Sequence, residues 1–263
     1  MGQVWLFSLI SILIVSAVSL IGILFLLIRK EIFEKIQTLL VAFAIGSLLG
    51  GAILHLIPES LHEQSTDIAT LLVLFSIVVF FVLEKYFHVQ RHHHPEEKKL
   101  KSFGPLNLIA DAMHNLLDGV LIAAAFISGF SIDPHTGLSS IDPRTGLIAT
   151  VAILAHEIPQ EIGDFAVLVL AGYTKKRALF FNFLSALSAL VGGVVVLVIP
   201  EIGRYSHYIL PMAAGGFIYI ALANLMPELN TPQSAKRAIS QVVAVLLGLL
   251  MMWLMLDNHS LHH

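Results

Sequence analysis

The 263 residues are 57% hydrophobic and 13% charged, and their mean hydropathy is +0.85. A soluble domain carries about 25% charged residues, so this composition excludes a water-soluble globule and predicts a chain solvated by lipid. The net charge of −3 offers no basic surface to nucleic acid, no G-x-x-x-x-G-K-[ST] loop is present to bind a nucleotide, and the absence of Cys excludes disulfides and thiolate metal ligands.

Eight apolar stretches are long enough to cross a bilayer, which requires about 20 apolar residues. They cover roughly residues 4–28, 37–58, 69–88, 104–129, 146–171, 178–199, 208–228 and 238–256. No basic residue precedes the first stretch, and Arg29 and Lys30 follow it, so we interpret it as an uncleaved membrane helix rather than a signal peptide. The sequence therefore predicts a single all-α transmembrane domain over residues 1–263.

The basic residues predict the orientation of these helices. Thirteen of the fifteen Lys and Arg residues lie in or beside alternate connections, and only Arg144 and Arg204 lie on the other side. Because Lys and Arg are enriched in cytoplasmic connections, those alternate connections are expected to be cytoplasmic. An even number of helices then leaves both termini extracytoplasmic. We expect a multi-pass integral membrane protein, in the cell (inner) membrane if the source is bacterial.

Two connections are longer than the others. The predicted cytoplasmic loop 89–103 contains His92, His93 and His94, which can bind metal ions, with an incidental histidine run as the alternative. The external segment 130–145 contains two similar sequences, residues 132–138 and 141–147, whose Asp-Pro and Thr-Gly pairs are typical of turns. We interpret that segment as a surface loop without a further role.

Helices two and seven end in similar sequences. A Gly pair at 50–51 precedes Leu-His-Leu-Ile-Pro-Glu at 54–59, and a Gly pair at 215–216 precedes Asn-Leu-Met-Pro-Glu at 224–228. The two helices run in opposite directions, as do helices four and five, each of which carries a central His. Such pairs are typical of inverted-topology repeats, here three, two and three helices with a site near the membrane midplane.

Helices four and five each carry a polar stripe on an otherwise apolar span. The stripes comprise Asp111, His114, Asn115 and Asp118 on helix four, and His156, Glu157, Gln160, Glu161 and Asp164 on helix five. Their spacings of three and four residues place the members of each stripe on or beside one helical face. The two helices are consecutive, so the stripes are expected to face each other.

Five carboxylates at membrane depth require a counter-charge. Each ionised group costs about 3 kcal/mol on insertion scales, and neither predicted span contains Lys or Arg, so protons or a bound cation must compensate. Imidazole and carboxylate ligands without sulfur suit Zn²⁺ and neighbours such as Fe²⁺, Mn²⁺ or Cd²⁺ rather than Cu⁺. Pro159 cannot donate to the carbonyl of Ala155, so a bend beside His156 and a polar cavity are expected.

Further polar residues lie at the ends of helices two and seven. His55 and Glu59 lie at the outer end of helix two, and Asn224 and Glu228 lie at the inner end of helix seven. In a transport path they would flank entry and exit, and solvated helix ends are the alternative. The stripe carboxylates of Asp111, Glu161 and Asp164 are expected to orient ligands or line a vestibule.

The motifs H-N-x-x-D-G and H-E-I-P-Q-E-I-G-D resemble those of the ZIP (Zrt-/Irt-like) family of metal transporters, and the resemblance extends to residues 46–59 and 214–228. It implies an eight-helix ZIP fold whose transport site consists of His114, Asn115, Asp118, His156, Glu157 and Gln160. It also implies two adjoining metal positions that share Asp118 and Glu157. Helices one, four, five and six would move against the rest, exposing the metal alternately to each side. Zinc uptake toward the cytoplasm is the favoured function.

The sequence departs from the family pattern at Gln160, where many relatives read H-E-x-P-H-E. An amide oxygen is a weaker donor than imidazole, so a looser preference for zinc and faster release are expected. Helix six offers only Asn182, Ser185 and Ser188 at mid-depth, and thus no carboxylate for a second metal position.

Two other functions share part of this pattern. H-E-I-P-Q is close to H-E-x-x-H, so an intramembrane zinc-dependent hydrolase is the first alternative, although Gln160 replaces the second His. His114, Asp118, His156 and Glu157 would still supply three ligands and a base. A proton-coupled carrier of an organic solute would need Arg or aromatic contacts, which the stripes do not supply. We favour a transporter without enzymatic activity or catalytic cofactor. Its expected partners are divalent metal ions and the lipid bilayer, and a homodimer is one expected assembly.

Overall fold

The computed structural model describes residues 1–61, 64–93, 100–132, 139–230 and 234–260, excepting the side chains of 90–93, 132, 139 and 256–260. Within these ranges the chain is almost entirely helical, which confirms the predicted all-α class. The long helices, counted through their local irregularities, are α1 Gly2–Leu27, α2 Lys30–Leu61, α3 Thr66–His93, α4 Phe103–Ser128, α5 Arg144–Leu170, α6 Lys175–Val198, α7 Pro200–Leu229 and α8 Ala235–Ser260. A short antiparallel hairpin, β1 Phe130–Ile132 and β2 Ser139–Ile141, flanks part of the segment that was expected to be a loop.

Seven of the described helices are long and apolar enough to cross a membrane. The exception is α5, which has 27 residues and is therefore long enough, but whose central part carries the polar stripe. The lipid-facing surface is concentrated on α3 and α8, since only 17% of the most apolar window of each is buried. Helices α2, α4, α5 and α7 accordingly form the interior of the bundle.

Two helices contain a π-helical segment at corresponding places. These segments are Gly51–Leu56 in α2 and Ile220–Leu225 in α7, and each ends two residues before the Pro of a Pro-Glu pair. Pro58 and Pro227 lack the N–H that would bond to the carbonyl four residues back, which accounts for a widened turn immediately before each of them. Such π segments occur frequently at functional sites. The α1 helix contains a 3₁₀ segment at Val18–Gly22, and α6 is interrupted at Leu187.

Close helix contacts depend on glycine. A Cβ added to Gly119 of α4 would lie 1.8 Å from the carbonyl oxygen of Ala189 in α6, and one added to Gly46 of α2 would lie 2.1 Å from the carbonyl oxygen of Val245 in α8. Both distances are far inside contact range, so any larger residue would force the helices apart. These contacts fix α4 against α6 and α2 against α8.

Two apolar clusters pack along α4, on either side of its polar centre. One includes Leu106, Ala110 and Leu117 with residues of α2, α5 and α7. The other includes Val120 and Phe126 with residues of α1, α5 and α6. The polar stripe of α4 is thus enclosed by packed side chains toward both ends of the helix.

Candidate metal centre

Consecutive helices α4 and α5 bring four ionisable side chains together near their midpoints. His114 and Asp118 come from α4, and His156 and Glu157 come from α5. Each offers one ligand atom, and the four atoms lie within 4.8 Å of one another. All four residues are buried, with at most 5% of their surface exposed. Imidazole nitrogens and carboxylate oxygens grouped in this way can surround one divalent ion.

The atoms of this cluster face one another without hydrogen bonds. His114 Nε2 lies 3.7 Å from Asp118 Oδ2 and 3.5 Å from Glu157 Oε1, and His156 Nε2 lies 3.5 Å from Asp118 Oδ2. Each of these four atoms is buried without a hydrogen-bond partner in the described part of the chain. Buried polar atoms are nearly always paired, so a convergent set of unpaired ligand atoms indicates a place for a bound ion.

The predicted charge imbalance is present in the folded chain. All five stripe carboxylates are buried, whereas no Lys or Arg is buried among the described residues. One detail of the prediction was wrong, because α5 begins at Arg144 and therefore does contain a basic residue. Arg144 is exposed at the first position of the helix, about 18 Å along the axis from His156, and cannot neutralise the cluster.

A cavity of about 210 Å³ adjoins the cluster. It is lined by His114, Asp118 and His156 of the cluster and by His55 and Glu59 of α2. The His55 and His156 rings have centroids 5.5 Å apart, and Glu59 is exposed. His55 and Glu59 therefore share a cavity with three residues of the cluster, and their role in entry stays a prediction.

The other three stripe carboxylates lie on the side of the cluster away from this cavity, and polar side chains bind them. Asp111 accepts hydrogen bonds from Ser185 Oγ and from Asn115 Nδ2, the latter at 2.8 Å. Asn182 Nδ2 donates to Glu161 Oε2, and Asn107 Nδ2 donates to Asp164 Oδ1 at 2.9 Å. We call Asp111, Glu161 and Asp164 the lower carboxylates.

Both amides of the predicted ligand set are buried beside the cluster. Asn115 donates its Nδ2 to Asp111, and its Oδ1 has no partner among the described residues. The hydrogen bond thus holds the side chain with a free acceptor, the atom that a metal would require. Gln160 lies one turn from His156 and is 5% exposed. Pro159 lies within α5, which remains helical through it; the expected bend stays a prediction.

Asn224 and Glu228, near the end of α7, lie in different environments. Asn224 is buried within the π segment, and its Nδ2 has no partner in the described structure. Glu228 instead forms an ion pair of 2.5 Å with Lys101, which lies just before α4. The candidate loop ligands His92, His93 and His94 lie outside the residues whose side chains are described.

Sequence reasoning missed several partners of the site. Neither Lys101 nor Phe217 was singled out, although the ring centroid of Phe217 lies 5.3 Å from that of His114. Asn182 and Ser185 were noted for supplying no carboxylate, but they donate to the lower carboxylates. Their mid-membrane position in α6 was the available signal. Nothing in the spacing of Asn107 indicated its bond to Asp164 on another helix.

Comparison with known proteins agrees with this geometry. The family profile described as ZIP Zinc transporter matches residues 3–105 and 90–256. The chain is 29% identical to Zinc transporter zipt-7.2 of Caenorhabditis elegans over 96% of this chain and 65% of that protein. It is 32% identical to Zinc transporter ZIP13 of Pongo abelii over 81% of this chain and 65% of that protein. It is 29% identical to Zinc transporter YKE4 of Saccharomyces cerevisiae over 96% of this chain and 80% of that protein.

The chain thus spans somewhat less than two thirds of the length of the first two relatives, at 65% of each. The profile nevertheless covers nearly all of its membrane helices, including both halves of the four-residue cluster. The resemblance inferred from the two motifs is confirmed, and the chain belongs to the ZIP zinc transporter family.

Proposed function

We propose that this protein carries divalent transition-metal ions, zinc foremost, across the membrane toward the cytoplasm. One observation carries the proposal: His114, Asp118, His156 and Glu157 converge as buried, unpaired ligands beside a cavity, with no buried Lys or Arg in the described structure. Two ionised carboxylates and two neutral imidazoles would balance the charge of one divalent ion. Asn115 and Gln160 complete the proposed set, and Fe²⁺, Mn²⁺ and Cd²⁺ are further candidate substrates because they accept the same ligands.

Transport requires that the ion reach the cluster from each side in turn. We assign the cavity lined by His55 and Glu59 to entry, and the end of α7, with Asn224 and Glu228, to exit. The π segments of α2 and α7 support an inverted repeat, since each ends two residues before the Pro of its Pro-Glu pair. The extracytoplasmic termini, the cytoplasmic basic connections and the homodimer stay predictions.

Some side-chain hydrogen bonds lie within each of the two proposed groups of helices, while Ser102 and Lys101, just before α4, also bond to Glu84 of α3 and Glu228 of α7. Within α1, α4, α5 and α6, Ser16 Oγ donates to Ala186 O at 3.0 Å and Ser188 Oγ donates to Ala112 O at 2.6 Å. Within α3 and α7, Ser76 Oγ donates to Met212 O at 2.5 Å and the Tyr219 hydroxyl donates to Glu84 at 2.5 Å. We propose that each group moves as one body.

Uptake of ⁶⁵Zn into proteoliposomes tests the proposal. The wild-type protein should accumulate zinc, whereas His114→Ala should not; His207→Ala, on the same fold but outside the cluster, serves as the matched control. If a variant that lacks the His114 or Asp118 side chain eluted as the wild type does and also transported zinc at the wild-type rate, the site would be misassigned. Zinc that binds but never crosses would instead favour the hydrolase, which uses the same four residues.

A further inference from the structure

A second polar cavity lies at the beginning of α2 and α8, away from the metal centre. Its volume is about 260 Å³. It is lined by Lys35, Thr38 and Leu39 of α2 and by Ser234, Lys236, Arg237 and Ser240 of α8 and the residue before it. None of these residues belongs to the polar stripes or to the proposed path, so the metal centre does not account for the cavity.

Three positive charges from two helices surround this cavity. No ion pair joins Lys35, Lys236 or Arg237 to an acidic residue in the described ranges, although Arg29 and Lys30 nearby pair with Glu31 and Glu34 at 3.8 and 3.7 Å. Like charges around one concave site repel one another unless an anion lies between them. The hydroxyl groups of Thr38 and Ser234 also line the cavity and can donate to phosphate oxygens, whereas the Ser240 hydroxyl donates to Lys236 O at 2.9 Å.

The cavity borders the lipid-facing surface of the same helices. On α8, Ile239 is 64% and Val243 is 48% exposed, and their spacing of four residues places them on one face. On α2, Ile32 is 50% exposed. An anion held here would therefore have a polar site for its head group and an apolar helix surface directly beside it.

We infer that this cavity binds the phosphate group of an anionic phospholipid, with its acyl chains along the exposed face of α8. Basic pockets between membrane helices recognise acidic head groups, and each Lys or Arg near the surface adds to the attraction. Beyond the cavity α2 contacts α8 closely at Gly46 and Val245, so a bound lipid would bridge two helices that already pack together. The inference does not depend on metal transport.

The chain provides a matched control for the basic pair. Lys236 and Arg237 are the second and third residues of α8, after Ser234; Lys176 and Arg177 are the second and third residues of α6, after Thr174. In both helices the backbone N–H of the Arg faces the preceding hydroxyl, at 3.4 Å in α8 and 3.3 Å in α6. The two pairs differ because the pair on α8 shares a cavity with Lys35.

The experiment measures phosphatidylglycerol retained by the purified protein after exchange into phosphatidylcholine nanodiscs or detergent, by native mass spectrometry. Wild type and Lys176→Gln/Arg177→Gln should retain it, whereas Lys236→Gln/Arg237→Gln should bind it on the order of tenfold more weakly. Lys35→Gln, on the other helix, should weaken binding in the same direction. Equal loss in the α8 and α6 variants, or retention in all of them, would overturn the inference.

Two further measurements distinguish a bound lipid from a soluble anion and from a structural role of the basic residues. Millimolar inorganic phosphate should not displace the lipid; displacement would identify a site for a soluble phosphate and contradict the lipid assignment. Thermal unfolding in phosphatidylcholine alone should occur at no lower temperature for the α8 variant than for wild type, because without an anion the three charges only repel one another. A variant that unfolds early even there would point to the structural role and would also contradict the inference.

Discussion

Replacing Asp118 with Asn tests the charge argument at the metal centre, because it preserves the shape of the side chain and removes one of two neutralising charges. At a zinc–oxygen distance of about 2.1 Å and an effective dielectric constant of about 20, the Coulomb attraction between a divalent ion and the Asp118 carboxylate is roughly 16 kcal/mol. Repulsion between Asp118 and Glu157, whose ligand atoms lie within 4.8 Å of each other, is relieved by at least about 3.5 kcal/mol. Hydration of the free ion and the amide oxygen offset most of the remainder. If a quarter of the difference between the lost attraction and the relieved repulsion remains, which is about 3 kcal/mol, the affinity for zinc falls about 100-fold.

The assay is the zinc dependence of ⁶⁵Zn uptake by proteoliposomes, together with calorimetric zinc binding in detergent. We expect Asp118→Asn to raise both the KM and the Kd by about 100-fold while the protein elutes as the wild type does. Asp67→Asn, an equivalent change in the exposed first turn of α3, should alter neither. Wild-type affinity and rate in Asp118→Asn would refute the requirement for its charge.

Three further predictions concern protons, metal choice and the ion pair. Zinc uptake should fall as the pH is lowered from about 7.5 to 5.5 and should recover when more zinc is added, because protons and metal compete for the same imidazole and carboxylate ligands. A pH profile of uptake at two zinc concentrations measures this competition. Gln160→His should increase the preference for zinc over Mn²⁺ in competition uptake, because imidazole is the better zinc ligand. Unchanged selectivity would remove Gln160 from the ligand set. Glu228→Gln should change the uptake rate by no more than about fivefold, since its pair with the 43% exposed Lys101 is partly solvated. Lys101→Glu/Glu228→Lys should restore the rate if the pair acts by charge.

The sequence could predict that His114, Asp118, His156 and Glu157 lie together because the information for this is local. In both α4 and α5 the spacing of three and four residues fixes which side chains share a face, without knowledge of the rest of the fold. Since α4 and α5 are consecutive, their polar faces had few other surfaces to meet. The membrane raised the cost of any other arrangement, because charged side chains facing lipid are expensive.

Features that depend on non-consecutive helices could not be predicted in this way. The bond from Ser185 to Asp111 and the pair of Lys101 with Glu228 depend on how α6 and α7 rotate and approach α4. That approach is set by contacts such as Gly119 against Ala189, whose partner the sequence does not identify. The π segments were likewise not predicted, although Pro58 and Pro227 marked the missing backbone donors.

The five buried carboxylates differ in whether hydrogen-bond donors compensate their oxygens. This difference distinguishes the carboxylates that would bind an ion from those that would support the site. Both oxygens of Asp111 accept hydrogen bonds, and one oxygen each of Glu161 and Asp164 does so. Asp118 Oδ2 and both oxygens of Glu157 have no such donors among the described residues. Hydrogen bonds stabilise a buried carboxylate without an ion, so the need for a cation is greatest at Asp118 and Glu157.

The donors to the lower carboxylates come from Asn107, Asn182 and Ser185, and their bonds join α4, α5 and α6 to one another. A side chain that is held by neighbours within its own group of helices can stay in place while that group moves. An ion held at Asp118 and Glu157 would then travel with α4 and α5, the two helices that supply those carboxylates. The lower carboxylates would thus serve to keep the moving helices together rather than to bind the ion.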